Sequence, residues 1–337
     1  MSFSFAQILK PASAIISIDL VWPADKPKIM IAIFFKTVPF FAIIGLGYFA
    51  VRRGMFTAEA TVYLTKFVFY FALSAMLFRF SSSLSLGALL QWNFIFAYLL
   101  ATGSIYLLAI SFALLRRVPM AEAAVEAQCG VIGNVGFLGI PMLAMLLGPE
   151  AVGYVMLVLA VDLIVFSSLI VIFIEGSRDG SLRLATLRTV IIGLLKNPMI
   201  VSISLGLFWS AAKLPMPEPL SEFVILLGAA ACPGALFAIG ASLAGKSTER
   251  AQVALWLSVV KLVVHPAAVA ASALLLFAVE PYAASVMIAA AALPVAGNIY
   301  ILAQHYNVAP QRVSASILFS TLGSIVTVSL VISWLLA

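Results

Sequence analysis

Apolar runs of roughly the length of a bilayer span recur from about residue 30 to the last residues of the chain, cut only by short polar, Gly or Pro breaks. Few folds can carry such runs. In hydrocarbon no water is present to bond a free N–H or C=O, so a spanning segment must be a helix or part of a closed barrel. Barrel strands alternate apolar and polar residues over about ten positions. These runs are continuous, so their backbone must satisfy itself as helix. At about 20 apolar residues per span, ten spans fit, near 30–51, 57–79, 92–115, 120–147, 151–174, 196–212, 218–244, 251–279, 282–306 and 312–336. The expected fold class is an all-α integral membrane protein of about ten transmembrane helices.

Composition agrees. With 64% hydrophobic and 9% charged residues, the chain has too little polar surface to cover itself in water, where about a quarter of residues are charged. Lipid is therefore an expected partner. Cys129 and Cys232 both sit in apolar runs and suggest neither a disulfide framework nor a metal site. The net charge of +6 is not a nucleic-acid footprint, because the basic residues are scattered through short loops. Those loops set an orientation. Arg52 and Arg53 follow the first span, Arg116 and Arg117 the third, Arg178, Arg183, Arg188 and Lys196 the fifth, Lys246 and Arg250 the seventh, and Arg312 the ninth. The intervening loops carry Glu150, Glu218, Glu222 and Glu280, with Lys213 as the main exception. By the positive-inside rule the odd-numbered loops face the cytoplasm and both termini face out, in the inner membrane. Residues 1–29, broken by Pro11, Pro23 and Pro27, are expected to be a poorly ordered or interfacial extension, with no signal-peptide pattern.

The two halves, 30–174 and 196–337, joined by a cytoplasmic linker at 175–195, echo each other at a spacing of about 160 residues. AMLFRFSSSL from Ala75 answers ALFAIGASL from Ala235. Five spans per half is an odd number, so the second copy must insert upside down, as in secondary transporters with a midplane site. The fourth span is interrupted by Gly133, Asn134, Gly136, Gly139 and Pro141, and the ninth by Pro294, Gly297 and Asn298. Gly and Pro weaken a helix interior by about 1 and 3 kcal/mol relative to Ala. Unwound backbone is tolerated at membrane depth only against protein or a cavity. Gly133, Asn134, Gly136, Pro141, Pro294, Gly297 and Asn298 are thus the candidate substrate-binding residues. The competing explanation is close helix packing through small side chains.

At these residues the chain resembles the auxin efflux carrier family, the bacterial relatives of plant PIN carriers. The resemblance is carried by GNVGFLGIP at 133–141, KNP at Lys196–Pro198, PGALFAIGASL at 233–243, KLVVHP at 261–266 and LPVAGNIYILAQHYN at 293–307. Ser74 departs from it, where relatives often carry a proline. The resemblance implies a five-plus-five inverted repeat with two broken, crossing helices, a scaffold of spans one, two, six and seven, often dimeric, and a transport domain from the rest. It implies small carboxylate or auxin-like organic anions as substrates, and no cofactor.

Ionisable side chains within spans are costly and usually functional. Asp162 is expected to be the only acid well inside a span and the best candidate for coupling to a proton or a sodium ion. Lys66, Lys261 and His265 are candidates for charge compensation, with snorkelling the alternative for Lys66 and a structural hydrogen bond for His265. Lys261 and His265 lie at i and i+4, on one helix face. Arg79 is expected at the outer interface. No nucleophile–base pair, metal-ligand spacing or P-loop is present, so neither an enzyme nor an ATP-driven pump is expected. A channel, or a sensor with a transporter-like fold, is the alternative.

Overall fold

The computed structural model describes residues 26–84, 91–179, 184–244 and 251–336. Most of the expected N-terminal extension lies outside them, as do Arg183, Lys246 and Arg250. Among the described residues, seven helices are long and apolar enough to cross a membrane: Ile33–Arg52, Ala58–Ser82, Trp92–Leu115, Ala151–Ser177, Glu218–Leu243, Ala251–Leu276 and Pro310–Leu335. The ten expected spans fall short of that test at 120–147, 196–212 and 282–306, each for a local reason. The first is split into Met120–Val131 and Val135–Leu147, and the last into Pro281–Ala291 and Asn298–Tyr306. The middle one is Pro198–Ala211, bent by 64° from the helix before it. In chain order the helices are α1 (Lys26–Arg52), α2 (Ala58–Ser82), α3 (Trp92–Leu115), α4 (Met120–Val131), α5 (Val135–Leu147), α6 (Ala151–Ser177), α7 (Leu184–Lys196), α8 (Pro198–Ala211), α9 (Glu218–Leu243), α10 (Ala251–Leu276), α11 (Pro281–Ala291), α12 (Asn298–Tyr306) and α13 (Pro310–Leu335). α1 starts at Lys26 rather than near residue 30, and much of the expected linker at 175–195 is the helix α7.

The boundaries follow from capping chemistry. Thr57 accepts from the N–H of Ala60 at 3.0 Å and starts α2. Asn197 accepts from Met199 N–H at 2.9 Å, with Pro198 in the first turn of α8. Glu280 accepts from the N–H groups of Tyr282 and Ala283 at 3.1 and 2.8 Å, ahead of Pro281. Each cap satisfies donors that the first helical turn leaves free.

Close helix crossings fix the frame. α1 packs on the second half of α9, and α8 on the second half of α2. A Cβ on Gly47 would lie 2.1 Å from the Phe237 carbonyl oxygen, and one on Gly240 1.8 Å from that of Ile44. A Cβ on Gly206 would lie 1.9 Å from Ser81 Oγ and 2.7 Å from the Phe78 carbonyl oxygen. Only glycine lets the backbones approach this closely.

Several long helices also contain a wide, five-residue turn, among them Val68–Ala72 in α2 and Asp162–Phe166 in α6. Such turns loosen the i→i−4 ladder. Hydroxyls step in beside two of them: Ser74 Oγ donates to the Phe69 carbonyl at 3.2 Å, and Ser167 Oγ to that of Asp162 at 3.1 Å. Ser74, the departure from the family pattern, therefore stands beside a wide turn of its helix.

Candidate functional site

The two interruptions meet. α4 ends at Val131, and Ile132 is extended. Asn134 N–H donates to the Pro294 carbonyl at 2.7 Å, and Ala296 N–H to that of Ile132 at 3.1 Å. Gly133 and Val295 form the one isolated antiparallel bridge among the described residues. Each break thus supplies partners for the polar backbone freed by the other, which is what the low-dielectric interior requires. The glycines make room for the crossing. A Cβ on Gly133 would meet Ala290 O and Lys261 Nζ, both at 3.3 Å. On Gly139 it would sit 2.6 Å from Leu293 Cδ1, and on Gly136 2.8 Å from Met199 Cε. Nothing lies within 4 Å of a Cβ on Gly297, so crowding does not explain that glycine.

Beside the crossing lies a cavity of about 20 Å³, lined by Gly133, Asn134, Gly136, Asp162, Gly297 and Asn298 among others. That volume holds about one water. Asp162 is 2% exposed. Its Oδ1 accepts from Tyr98 Oη at 2.8 Å. Its Oδ2 and the Oδ1 of Asn298 have no hydrogen-bond partner among the described residues. Pro294 is buried at the crossing, and Pro141 lies just after the wide turn Val135–Gly139 that opens α5; neither lines the cavity.

Behind the crossing runs a buried polar chain. Lys261 is fully buried, donates to the carbonyl of Ala291 at the end of α11, and lies 3.3 Å from His265 Nδ1. His265 Nε2 is 3.0 Å from Thr102 Oγ1. A cation beside a helix C-terminus opposes the negative end of its dipole. Tyr98, which bonds Asp162, stands edge-on to His265 with ring centroids 6.1 Å apart. The structure thus brings Asp162, Lys261 and His265 to one region. Lys66 stays apart: it is exposed, with Nζ 5.4 Å from the ring centroid of Tyr63.

One expectation needs correction, and one buried acid was overlooked. Glu126, six residues into α4, is 1% exposed and bonds Arg116 at the end of α3. Arg312 is not a loop residue: it is 5% exposed and bonds both Glu126 and, at 3.1 Å, Glu122. Arg116 bonds the other oxygen of Glu126. The carboxylates at i and i+4 share a helix face, which the sequence does show. Their partners come from distant helices, which it does not. Tyr98 and Thr102 were likewise illegible, since a Tyr and a Thr in an apolar run read as packing.

Broken helices that pair within a bundle of long apolar helices, around buried ionisable groups, define a multi-pass membrane protein of the transporter class. Residues 32–332 match the model of the family described as Membrane transport protein, and the chain belongs to that family, the one that includes the auxin efflux carriers. It is 30% identical over 298 residues to the protein named "Putative malonate transporter" of Rhizobium meliloti (strain 1021), covering 87% of this chain and 92% of that one. It is 25% identical over 250 residues to the "Lysosomal cholesterol signaling protein" of Mus musculus, covering 68% of this chain but 29% of that one. The family and the bacterial relative are transporters, not enzymes.

Proposed function

We propose that this chain is a secondary active carrier of a small organic anion, a short carboxylate of the malonate type, working by alternating access in the cytoplasmic membrane. The observation that carries the reading is the backbone pairing of the two breaks, Asn134 to Pro294 and Ala296 to Ile132, while Asn134 and Asn298 line the adjoining cavity. An Asn amide can donate to a carboxylate, and free N–H groups at unwound helix ends favour an anion. The malonate named for the bacterial relative fits that chemistry.

The carrier is read as ten spans in two inverted halves, 30–174 and 196–337. The glycine crossings support this. Gly47 approaches the carbonyl of Phe237, and Gly206 that of Phe78. Positions 47 and 206 are 159 apart, and so are 78 and 237, close to the 160 of the sequence echo. In this reading α1, α2, α8 and α9 form a scaffold and the other helices move against it, in a monomer or a homodimer. Both termini face out. Arg116 and Arg312 meeting on Glu126 supports a common side for the loops after spans three and nine. Tyr282 Oη bonding the Leu147 carbonyl at 2.9 Å does the same for the opposite face. Asp162 is the coupling residue, taking up a proton or another cation, because an anion can share its cavity only if that carboxylate is neutralised. Lys261 and His265 hold the compensating charge nearby.

The test is Asn134→Ala in reconstituted vesicles. Counterflow of labelled malonate is expected to fall at least about tenfold, the worth of a charge-assisted hydrogen bond, at unchanged yield and melting temperature. Full activity in the variant would remove Asn134 from the site.

A further inference from the structure

The cavity at the crossing, at about 20 Å³, has room for about one water, so substrate has no space there in this structure. A second cavity, of about 490 Å³, lies in the size range of small-ligand pockets. One wall is built from the C-terminal end of α2 with Arg79 and Ser83, another from Trp209 of α8 and Ser221 of α9, and a third from Pro149 and Val152 at the start of α6. It therefore opens between the proposed scaffold and the proposed moving part, on the side of the Glu-bearing loops. Arg79, exposed like Lys66, is the one charged side chain among its described lining residues. Its guanidinium carbon stands 5.7 Å from the Phe80 ring centroid, and among the described residues no carboxylate pairs with it. An arginine without an acidic partner, in a cavity of hydroxyl and apolar walls, suits one carboxylate and a short apolar body.

The same helix reaches the crossing. Phe69 of α2 stacks on Phe137, which lines the small cavity, with centroids 6.3 Å apart. Arg79 lies ten residues further along, or about 15 Å at 1.5 Å per residue. We infer that the structure is in a state closed at the crossing and open at this vestibule, and that Arg79 is the capture site that takes the carboxylate of the substrate before it reaches Asn134. The inference rests on the carrier reading and adds to it a binding residue outside the broken helices.

The experiment places Ser83→Cys, and separately Ser221→Cys, in protein reconstituted into zwitterionic lipid, with labelling by a membrane-impermeant thiol reagent. Acetate, malonate and succinate are the probes, with a neutral amide as control. At least one acid is expected to slow labelling of both reporters while the amide does not. Arg79→Gln is expected to abolish that protection and Arg79→Lys to retain part of it. In counterflow from the outer side, Arg79→Gln is expected to raise KM about tenfold, with the maximal rate within about twofold, since the crossing is untouched. Labelling that no acid slows, or protection that survives Arg79→Gln, overturns the proposal. So does protection by phosphatidylglycerol in the vesicles but by none of the acids, which would make the cavity a lipid-headgroup site. Protection lost with Arg79, in a protein that moves none of the acids, would uphold the capture site and remove the carrier reading instead.

Discussion

Glu126 accepts from two arginines, Arg116 and Arg312, and its side chain is 2% exposed, that of Arg312 6%. Desolvating Glu126 and Arg312 is costly, and the attraction within the network offsets that cost. Removing Glu126 leaves buried Arg312 with Glu122 at 3.1 Å as its remaining acidic partner, at a cost toward the lower end of the about 3–5 kcal/mol for breaking a buried pair. Glu126→Ala is therefore expected to lower the melting temperature sharply in detergent. The double change Glu126→Gln with Arg312→Met is expected to recover much of that loss, because it removes charge from both sides. Equal melting of Glu126→Ala and wild type would show that the network carries no stability. Physical reasons also decide what could be read from sequence here. Lys261 and His265 were legible as a pair because i and i+4 on one helix must meet, and they stand 3.3 Å apart. Arg312 was read as a loop cation because only the fold brings it to a helix 186 residues earlier in the chain.

At the scale of elements, the breaks were legible and the crossings between spans were not. Gly133, Asn134, Pro294 and Asn298 announce an interruption by their own backbone preferences, wherever their partners lie. Gly47, Gly206 and Gly240 announce nothing alone, because a glycine in an apolar helix is unremarkable until a second backbone arrives. Lys66 left charge compensation and snorkelling both open for a related reason: position along the span says how deep a residue lies, but not which face of the helix it is on. The crossings can be tested against each other. The ideal Cβ of residue 240 would fall 1.8 Å from a backbone oxygen, whereas that of Gly45, two residues before Gly47 on the same helix, meets nothing within 4 Å. Gly240→Val is expected to destabilise by several kcal/mol, about the upper end of overpacking costs, and to reduce the yield of folded protein. Gly45→Val is expected to be nearly neutral. Comparable size-exclusion profiles and melting curves for the two would mean that the α1–α9 contact can slide apart without loss.

At the scale of the whole molecule, the buried polar group beside the crossing is on helices assigned to the moving part. Asp162 is on α6, Tyr98 and Thr102 are on α3, and Lys261 and His265 are on α10. The other buried charges among the described residues, Glu126 on α4 and Arg312 on α13, lie on that part too and pair with each other. Rocking would carry the group across as one unit, so its net charge decides how flux responds to voltage. Empty, Lys261 with ionised Asp162 sums to zero. Loaded with one singly charged carboxylate, such as malonate carried as its monoanion, and one proton on Asp162, it again sums to zero, and a full cycle moves no net charge. In Asp162→Asn the empty unit would carry one positive charge and the loaded unit none, so net flux would become electrogenic. Moving one charge against the membrane potential costs about 2.3 kcal/mol per 100 mV, which favours efflux of an anion and opposes its uptake. The variant is therefore expected to keep carboxylate exchange, lose the pH dependence of net flux, and gain sensitivity to a potential set by potassium and valinomycin. Vesicle flux at acidic, neutral and alkaline pH, each with and without the imposed potential, reads all three. If the pH profile and voltage response match the wild type, Asp162 serves structure alone, and the fixed charge of Lys261 leaves the membrane potential as the driving force.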